Sequence, residues 1–144
     1  MSPEEIITQS LKDKRVEGIT ILGGEPFEQP EPLAALLSLA WESHLSTVVF
    51  TGFTHEQLVA KDISAIDTAL RHTDVLIDGP YLQEQRDFSR PLVGSSNQRF
   101  LFLTDRYTMR DFSPNKIEIR IGKDGTIALN GMGEMETIIR KIED

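Results

Sequence analysis

Three short segments of the sequence combine glycines with oxygen-bearing side chains, and together they could bind a small polar ligand. They are Gly23–Pro26, which contains Glu25, then Thr51–Gly52, and Asp78–Pro80. Glycines let a ligand approach the backbone closely, while the carboxylates and the threonine hydroxyl supply hydrogen-bonding groups. Two carboxylates beside backbone carbonyls suit a ligand with an ammonium group and sugar hydroxyls. They suit a bare phosphate poorly.

Each of these segments also has a plainer interpretation. The two glycines ahead of Glu25 and Pro26 could simply turn the chain from a strand into a helix. The Asp-Gly-Pro sequence at 78–80 is by itself a common turn. What favours a site is that all three segments take the same position relative to the predicted elements.

That position is the end of a predicted strand. Short apolar runs precede the three segments, at Gly18–Leu22, Thr47–Phe50 and Val75–Ile77, and their continuous hydrophobicity is typical of buried parallel strands. Helical spacing of apolar residues between them predicts connecting helices over 33–41 and 63–70. Alternating strands and helices imply right-handed crossovers in a parallel sheet, so the three segments should meet at one edge of it.

The remaining elements are predicted around this unit. Ser2, Pro3 and Glu5 have the pattern of a helix start, and that helix should end by Lys14. The polar stretch Tyr81–Gln98 predicts a long loop. Beyond it we expect a fourth strand, a hairpin and a closing helix, in that order: Phe100–Leu103, then Ile117–Ile121 with Thr126–Leu129, then a helix carrying Met135, Ile138, Ile139 and Ile142. All 144 residues are expected to form one domain, with the apolar helical stripes, Trp41 included, in its core.

Composition excludes several classes of function. A formal net charge of −8 argues against a nucleic-acid binder, and the apolar runs are too short to span a membrane. The N-terminus lacks the pattern of a signal peptide, so the expected location is a bacterial or archaeal cytoplasm. The absence of cysteine excludes a thiol nucleophile and any cysteine-ligated metal or iron–sulfur cluster built from this chain alone.

Other polar groups give weaker signals. His44, His55 and His72 lack metal-ligand spacing, so we expect solvated surface side chains and no metal site. The segment Gly94–Arg99 could form an anion-binding nest with Arg99 as a cationic clamp, or only a polar loop that leads into a strand.

Several motifs resemble those of one enzyme family in the same order. Residues 18–29, GITILGGEPFEQ, are similar to the G-[IV]-T-x-x-G-G-E-P-x-x-Q segment of radical S-adenosylmethionine activating enzymes. DVLIDGPY at 74–81 and GSSNQR at 94–99 resemble segments of the anaerobic ribonucleotide reductase activase branch. The SPEE sequence at 2–5 is similar to the helix start that follows the cluster loop in such enzymes.

The resemblance implies a cofactor, a reaction and a partner. The cofactor is S-adenosylmethionine, whose ammonium would be held by Gly23, Gly24 and Glu25, with Pro26 fixing the turn. Thr51 would lie near the ligand and Asp78 near its ribose. In the family, a [4Fe-4S] cluster reduces the sulfonium to give a 5′-deoxyadenosyl radical, which abstracts a hydrogen from a backbone glycine of a large partner protein.

The chain departs from the family at the cluster. The C-x-x-x-C-x-x-C loop expected ahead of Ser2 is absent, so the chain alone is predicted to be inactive. Either the polypeptide is a truncated activase, which we favour, or it is a natural relative that has lost its cluster and remains a binding module.

The predicted fold is therefore α/β with a mainly parallel sheet, a partial (βα) barrel of the radical S-adenosylmethionine type that lacks its first strand. Loss of that strand would leave Gly18–Leu22 on an open edge, which invites self-association. The alternative is a non-enzymatic nucleotide-binding or protein-interaction domain with flavodoxin-like layers, in which GGEP and DGPY serve as turns.

Overall fold

The structure is a computed structural model of the chain. It covers residues 2–87, 89 and 93–106, together with the backbone of three strands within 116–141. In this part of the chain no helix is both long and apolar enough to cross a membrane.

Helices and strands alternate through the first half of the chain. The helices are α1 (Pro3–Lys12), α2 (Pro30–Glu42), α3 (His55–Ala60) and α4 (Ser64–Arg71). The strands are β1 (Gly18–Gly23), β2 (Ser46–Phe50), β3 (Val75–Asp78), β4 (Arg99–Phe102), β5 (Lys116–Ile121), β6 (Thr126–Gly131) and β7 (Thr137–Lys141). Short 3-10 helices lie at Pro26–Glu28 and Gln83–Gln85.

The strands pair in the order β4-β3-β2-β1-β5-β6-β7. The four central strands in this order, β3, β2, β1 and β5, are parallel to one another. The pairs β3–β4, β5–β6 and β6–β7 are antiparallel. The predicted α/β architecture with a parallel centre is confirmed, as is the hairpin now formed by β5 and β6. The pairing order is linear, and curvature of the sheet into a partial barrel stays a prediction.

Two apolar clusters fix the sheet on its faces. The larger cluster packs α1, α2 and α4 against side chains such as Ile19, Ile21 and Val49. The smaller cluster combines Val48 of β2 and Ile77 of β3, on the other face of these strands, with Val93 from the loop before β4. Because successive residues of a strand point to opposite faces, the continuous apolar runs are explained by burial on both sides.

Two expectations about the sheet are wrong. β1 is not at an open edge, because β5 pairs with it in parallel along its whole length, so the proposed self-association through that edge loses its basis. The predicted fourth strand is present as β4, and it pairs antiparallel with β3. The closing segment forms β7 rather than a helix, and Ile138 and Ile139 pair with β6. Met135 and Ile142 lie outside the described residues.

Two expectations about the helices also need correction. The helix predicted over 63–70 is confirmed as α4, except that Ile63 is its exposed N-cap, and α3 ahead of it was not predicted. Trp41 lies on α2 but is 37% exposed, so it belongs to the surface rather than the core. The start of α1 is confirmed, since the Ser2 hydroxyl accepts the Glu5 N–H.

Candidate functional site

The carboxyl ends of β1, β2 and β3 come together at one side of the sheet, as the sequence predicts. We call this region the strand-end edge and define it by Gly23–Pro26, Thr51–Gly52 and Asp78–Gly79. Its centre is the Glu25 carboxylate, which reaches from the end of β1 to the end of β2. Glu25 accepts the Thr51 hydroxyl at 2.9 Å and the Gly52 N–H at 2.7 Å.

Local sequence explains why Glu25 is held there. It is the N-cap of the 3-10 helix, and its carboxylate also accepts the Phe27 N–H at 3.0 Å. Pro26 suits the first position of that helix because it has no N–H to satisfy, and the buried Phe27 anchors the turn in the core. Glu25 therefore serves the turn and the neighbouring strand at once.

The loop that follows β2 is fastened on its other side to β3. The His55 N–H donates to Asp78 Oδ2 at 2.8 Å, and the Gly79 N–H donates to the Phe53 carbonyl at 2.9 Å. Gly79 has φ of +101°, a conformation that favours glycine, and a Cβ there would lie 3.4 Å from the Asn97 amide nitrogen. The loop 51–55 thus lies between two carboxylates, Glu25 from β1 and Asp78 from β3.

Asp78 is completely buried and paired with an arginine. In the β3–β4 pair Arg99 stands directly opposite Asp78, and its Nε donates to Asp78 Oδ1 at 2.9 Å while its terminal nitrogen donates to Oδ2 at 2.5 Å. The same guanidinium donates to both oxygens of Glu56 on α3, at 3.2 and 2.7 Å. One side chain of β4 therefore connects β3 with α3.

These contacts change the electrostatics of the edge. The hydrogen bond from Arg99 lowers the pKa of the exposed Glu56 carboxyl to about 2. Hydrogen bonds to Asp78, and then to Glu56, raise the pKa of the Arg99 guanidinium above its usual range. Arg99 therefore stays cationic and Glu56 is held as a carboxylate around neutral pH.

The groups left open at the edge are mainly backbone. Gly23, Gly24 and Gly52 are exposed, whereas Pro26, Thr51 and Asp78 are buried and Glu25 is half-buried. Because protein donors already occupy the carboxylate oxygens, a ligand would meet exposed glycine backbone in a region of negative charge. Such a region can attract a cation and offer it carbonyl oxygens.

Two features of the edge were missed or left open by the sequence. Thr54 and Gln57 form a reciprocal capping box at the start of α3, and the T-x-x-Q spacing was a signal for it. The suggested anion nest at 94–99 is a polar loop, because the Gly94 and Ser95 N–H groups donate to the Gln98 side chain. Arg99 clamps carboxylates of its own chain.

The histidines do not assemble into a metal site. His44 is exposed, whereas His72 is half-buried, with Nδ1 2.8 Å from the Thr68 carbonyl and its ring edge-on to Trp41. The expectation of a solvated His72 is therefore wrong. Within the described residues, no group of three or more His, Cys, Asp or Glu side chains could hold a metal ion.

Comparison with known proteins supplies the family. The 4Fe-4S single cluster domain profile matches residues 2–101. The chain belongs to this family. Its match ends within β4, so the family region contains the whole strand-end edge and Arg99, while β5–β7 lie beyond it.

The chain is similar to several proteins that are named as activating proteins. It is 36% identical to the anaerobic ribonucleoside-triphosphate reductase-activating protein of Pasteurella multocida, 34% to that of Vibrio cholerae and 30% to that of Escherichia coli K12, each over 102 residues. Each alignment covers 66% of this chain and 63% of the relative. The resemblance to radical S-adenosylmethionine activases is confirmed at the level of the family. No solved structure matches the chain significantly.

The side chains of these 144 residues do not fit the 4Fe-4S cluster after which the family is named. An iron–sulfur cluster is held by cysteine thiolates, and the 144 residues contain no cysteine. Any ligands for a cluster would have to come from outside these residues.

Proposed function

We propose that the strand-end edge binds S-adenosylmethionine, and that the chain is the ligand-binding part of an activase for a glycyl-radical enzyme. The residues concerned are Gly23, Gly24, Glu25, Pro26, Thr51 and Asp78. The observation that carries the proposal is the bridge from Glu25 to Thr51 and Gly52, which holds two strand ends together beside exposed glycine backbone.

The chemistry of the ligand matches the groups at the edge. S-adenosylmethionine carries a sulfonium and an ammonium, both attracted by a region that holds Glu25 and Asp78. The exposed backbone of Gly23 and Gly24 offers acceptors for the ammonium, and the buried Asp78 would act on the ribose side by holding the loop 51–55 through the His55 N–H. Pro26 fixes the turn, and Thr51 orients the Glu25 carboxylate through its hydroxyl.

The partner follows from the names of the relatives. They activate an anaerobic ribonucleoside-triphosphate reductase, so a large protein of that glycyl-radical kind is the partner we propose for this chain. Radical formation itself depends on a cluster that these residues cannot ligate. The proposal for the chain is therefore limited to binding and orienting the ligand.

Calorimetric titration tests the proposal. The wild-type chain should bind S-adenosylmethionine more tightly than S-adenosylhomocysteine, which lacks the sulfonium charge, and more tightly than anionic ATP. Glu25→Gln places an amide among N–H donors, so it should weaken binding by roughly 1.5 to 3 kcal/mol, the usual worth of a hydrogen bond to a charged group.

Glu28→Gln is the matched control, because Glu28 is exposed on the same short helix and no hydrogen bond of its side chain is seen among the described residues. It should leave the titration unchanged. Preferential binding of ATP would instead support a nucleotide-binding module, and equal heats for wild type and Glu25→Gln would remove Glu25 from the site.

A further inference from the structure

The loop 51–55 carries Thr51 and Gly52, and its position depends on the carboxylate of Asp78. Glu25 holds the start of the loop through Gly52, and Asp78 holds its end through the His55 N–H at 2.8 Å. Asp78 has no exposed surface, so solvent cannot balance its charge. Something within the protein must therefore keep this carboxylate in place.

Arg99 is the group that does so. Its side-on contact uses Nε and a terminal nitrogen on the two oxygens of Asp78, and its outer nitrogens continue to Glu56 at the start of α3. A planar guanidinium can satisfy both carboxylates at once, whereas a lysine ammonium is a single point of charge. Cross-strand pairing opposite Asp78 fixes the base of the side chain.

We propose that Arg99 is a positioning residue of the strand-end edge, which acts through Asp78 to fix the loop 51–55 and thereby the contacts of Thr51 and Gly52 with Glu25. The effect on ligand affinity rests on the proposed function, but the effect on the loop does not. Without Arg99, the buried Asp78 carboxylate would turn toward water and withdraw its acceptor from His55.

Amide hydrogen exchange measures the loop without any ligand. In Arg99→Ala the His55 amide should exchange about tenfold faster, the change expected from loss of about 1.4 kcal/mol of protection. Amides of Ile21 and Val49 in the buried strands serve as an internal reference and should keep their rates if the fold is intact. Arg99→Lys keeps the positive charge but lacks the planar guanidinium, so the His55 amide should lose much of the same protection from exchange. This milder change keeps the test decisive if Arg99→Ala fails to fold.

The affinity for S-adenosylmethionine should fall in parallel, by about tenfold in Arg99→Ala. Because the Arg99 side chain is 43% exposed, guanidinium ion at sub-denaturing concentration can reach the space it leaves and should restore both readouts, whereas sodium chloride of equal ionic strength should not. A merely structural loss would not be restored in this specific way.

Arg15→Ala is the matched control. Arg15 makes the same side-on contact with Asp13, through Nε at 3.1 Å and a terminal nitrogen at 2.9 Å, but it follows α1 and lies outside the strand-end edge. This variant should leave His55 exchange and ligand affinity unchanged.

The outcomes separate the two proposals. Unchanged His55 exchange in Arg99→Ala, or faster exchange with unchanged affinity, would overturn the positioning role. A wild-type chain that does not bind S-adenosylmethionine would overturn the proposed function, while the exchange rates would still decide whether Arg99 fixes the loop.

Discussion

The two ends of the β2–β3 pair carry the same set of residue types and use them differently. Asp74, just before β3, and Asp78, its last residue, are both fully buried and both contact an arginine. Each end also has a threonine from the neighbouring strand: Thr47 lies within β2, and Thr51 directly follows β2. We call the end that contains Thr47, Asp74, Thr104 and Arg106 the opposite edge.

At the opposite edge the polar side chains are bonded to other groups of the protein. Asp74 accepts the Thr47 N–H at 2.9 Å and the Thr104 hydroxyl at 2.6 Å, and Arg106 lies 3.5 Å away. Arg106 also donates to the Leu45 carbonyl and covers the ring of Trp41. The contacts of this edge therefore connect the segment after β4 to the body of the sheet.

The strand-end edge differs in its glycines. Gly23, Gly24 and Gly52 leave backbone exposed beside the carboxylates of Glu25 and Asp78. A buried aspartate with an arginine is thus not a sign of function by itself. The neighbouring backbone distinguishes an edge that can receive a ligand from one that only stabilises the fold.

The largest expected effect comes from breaking the opposite edge. Asp74→Asn keeps the shape but replaces an acceptor oxygen with a donor, which leaves a buried N–H or hydroxyl without its partner. We expect a loss of about 2 to 4 kcal/mol in the free energy of unfolding. Urea denaturation measures it, and Asp105→Asn, at an exposed neighbour, is the control that should stay near wild type.

A pair of isosteric changes should sharpen the comparison. Thr47 donates to the His72 carbonyl and accepts the Asp74 N–H, so Thr47→Val should lower the free energy of unfolding by about 1 to 3 kcal/mol and spare ligand affinity in the folded protein. Thr51→Val should weaken S-adenosylmethionine binding, because Glu25 loses the hydroxyl that orients it. Equal effects of the two variants on affinity would contradict the distinction between the edges.

The smallest effect concerns acid stability. The pKa of Glu56 is lowered from 4.5 to about 2 by Arg99, so its stabilising contribution is present above pH 4.5 and is lost as the pH falls toward 2. The melting temperature of wild type should therefore exceed that of Glu56→Gln slightly at neutral pH, and the difference should vanish in acid. Asp13, whose pKa is also lowered to about 2, is present in both proteins and cancels.

Sequence patterns predicted the strand-end edge well because its parts are local. The apolar runs define β1 to β3, and the glycines with Glu25, Thr51 and Asp78 follow them directly. The bonds within the edge were not predictable, since Glu25 reaches Gly52 27 residues away and Arg99 reaches Asp78 across 21 residues. Such contacts depend on strand register, which no local pattern contains.

The errors in the second half have the same origin. The apolar spacing around Ile138 suits a helix, but the β-branched run Thr137–Ile139 suits a strand, and pairing with β6 decides between them. Likewise, nothing local indicates that β5 would pair with β1 and cover its edge. Parallel pairing joins segments that are distant in the chain.

The position of Trp41 gives the protein an optical label on one side only. It is the single tryptophan in the sequence, its ring lies 5.2 Å from the Arg106 guanidinium carbon, and the His72 ring meets it edge-on at 5.6 Å. Its fluorescence therefore reports on the opposite edge, where a cation and an imidazole both affect the excited indole. Trp41 emission can therefore be used to follow release of the Arg106 segment. Binding of a ligand at the strand-end edge should leave this emission unchanged.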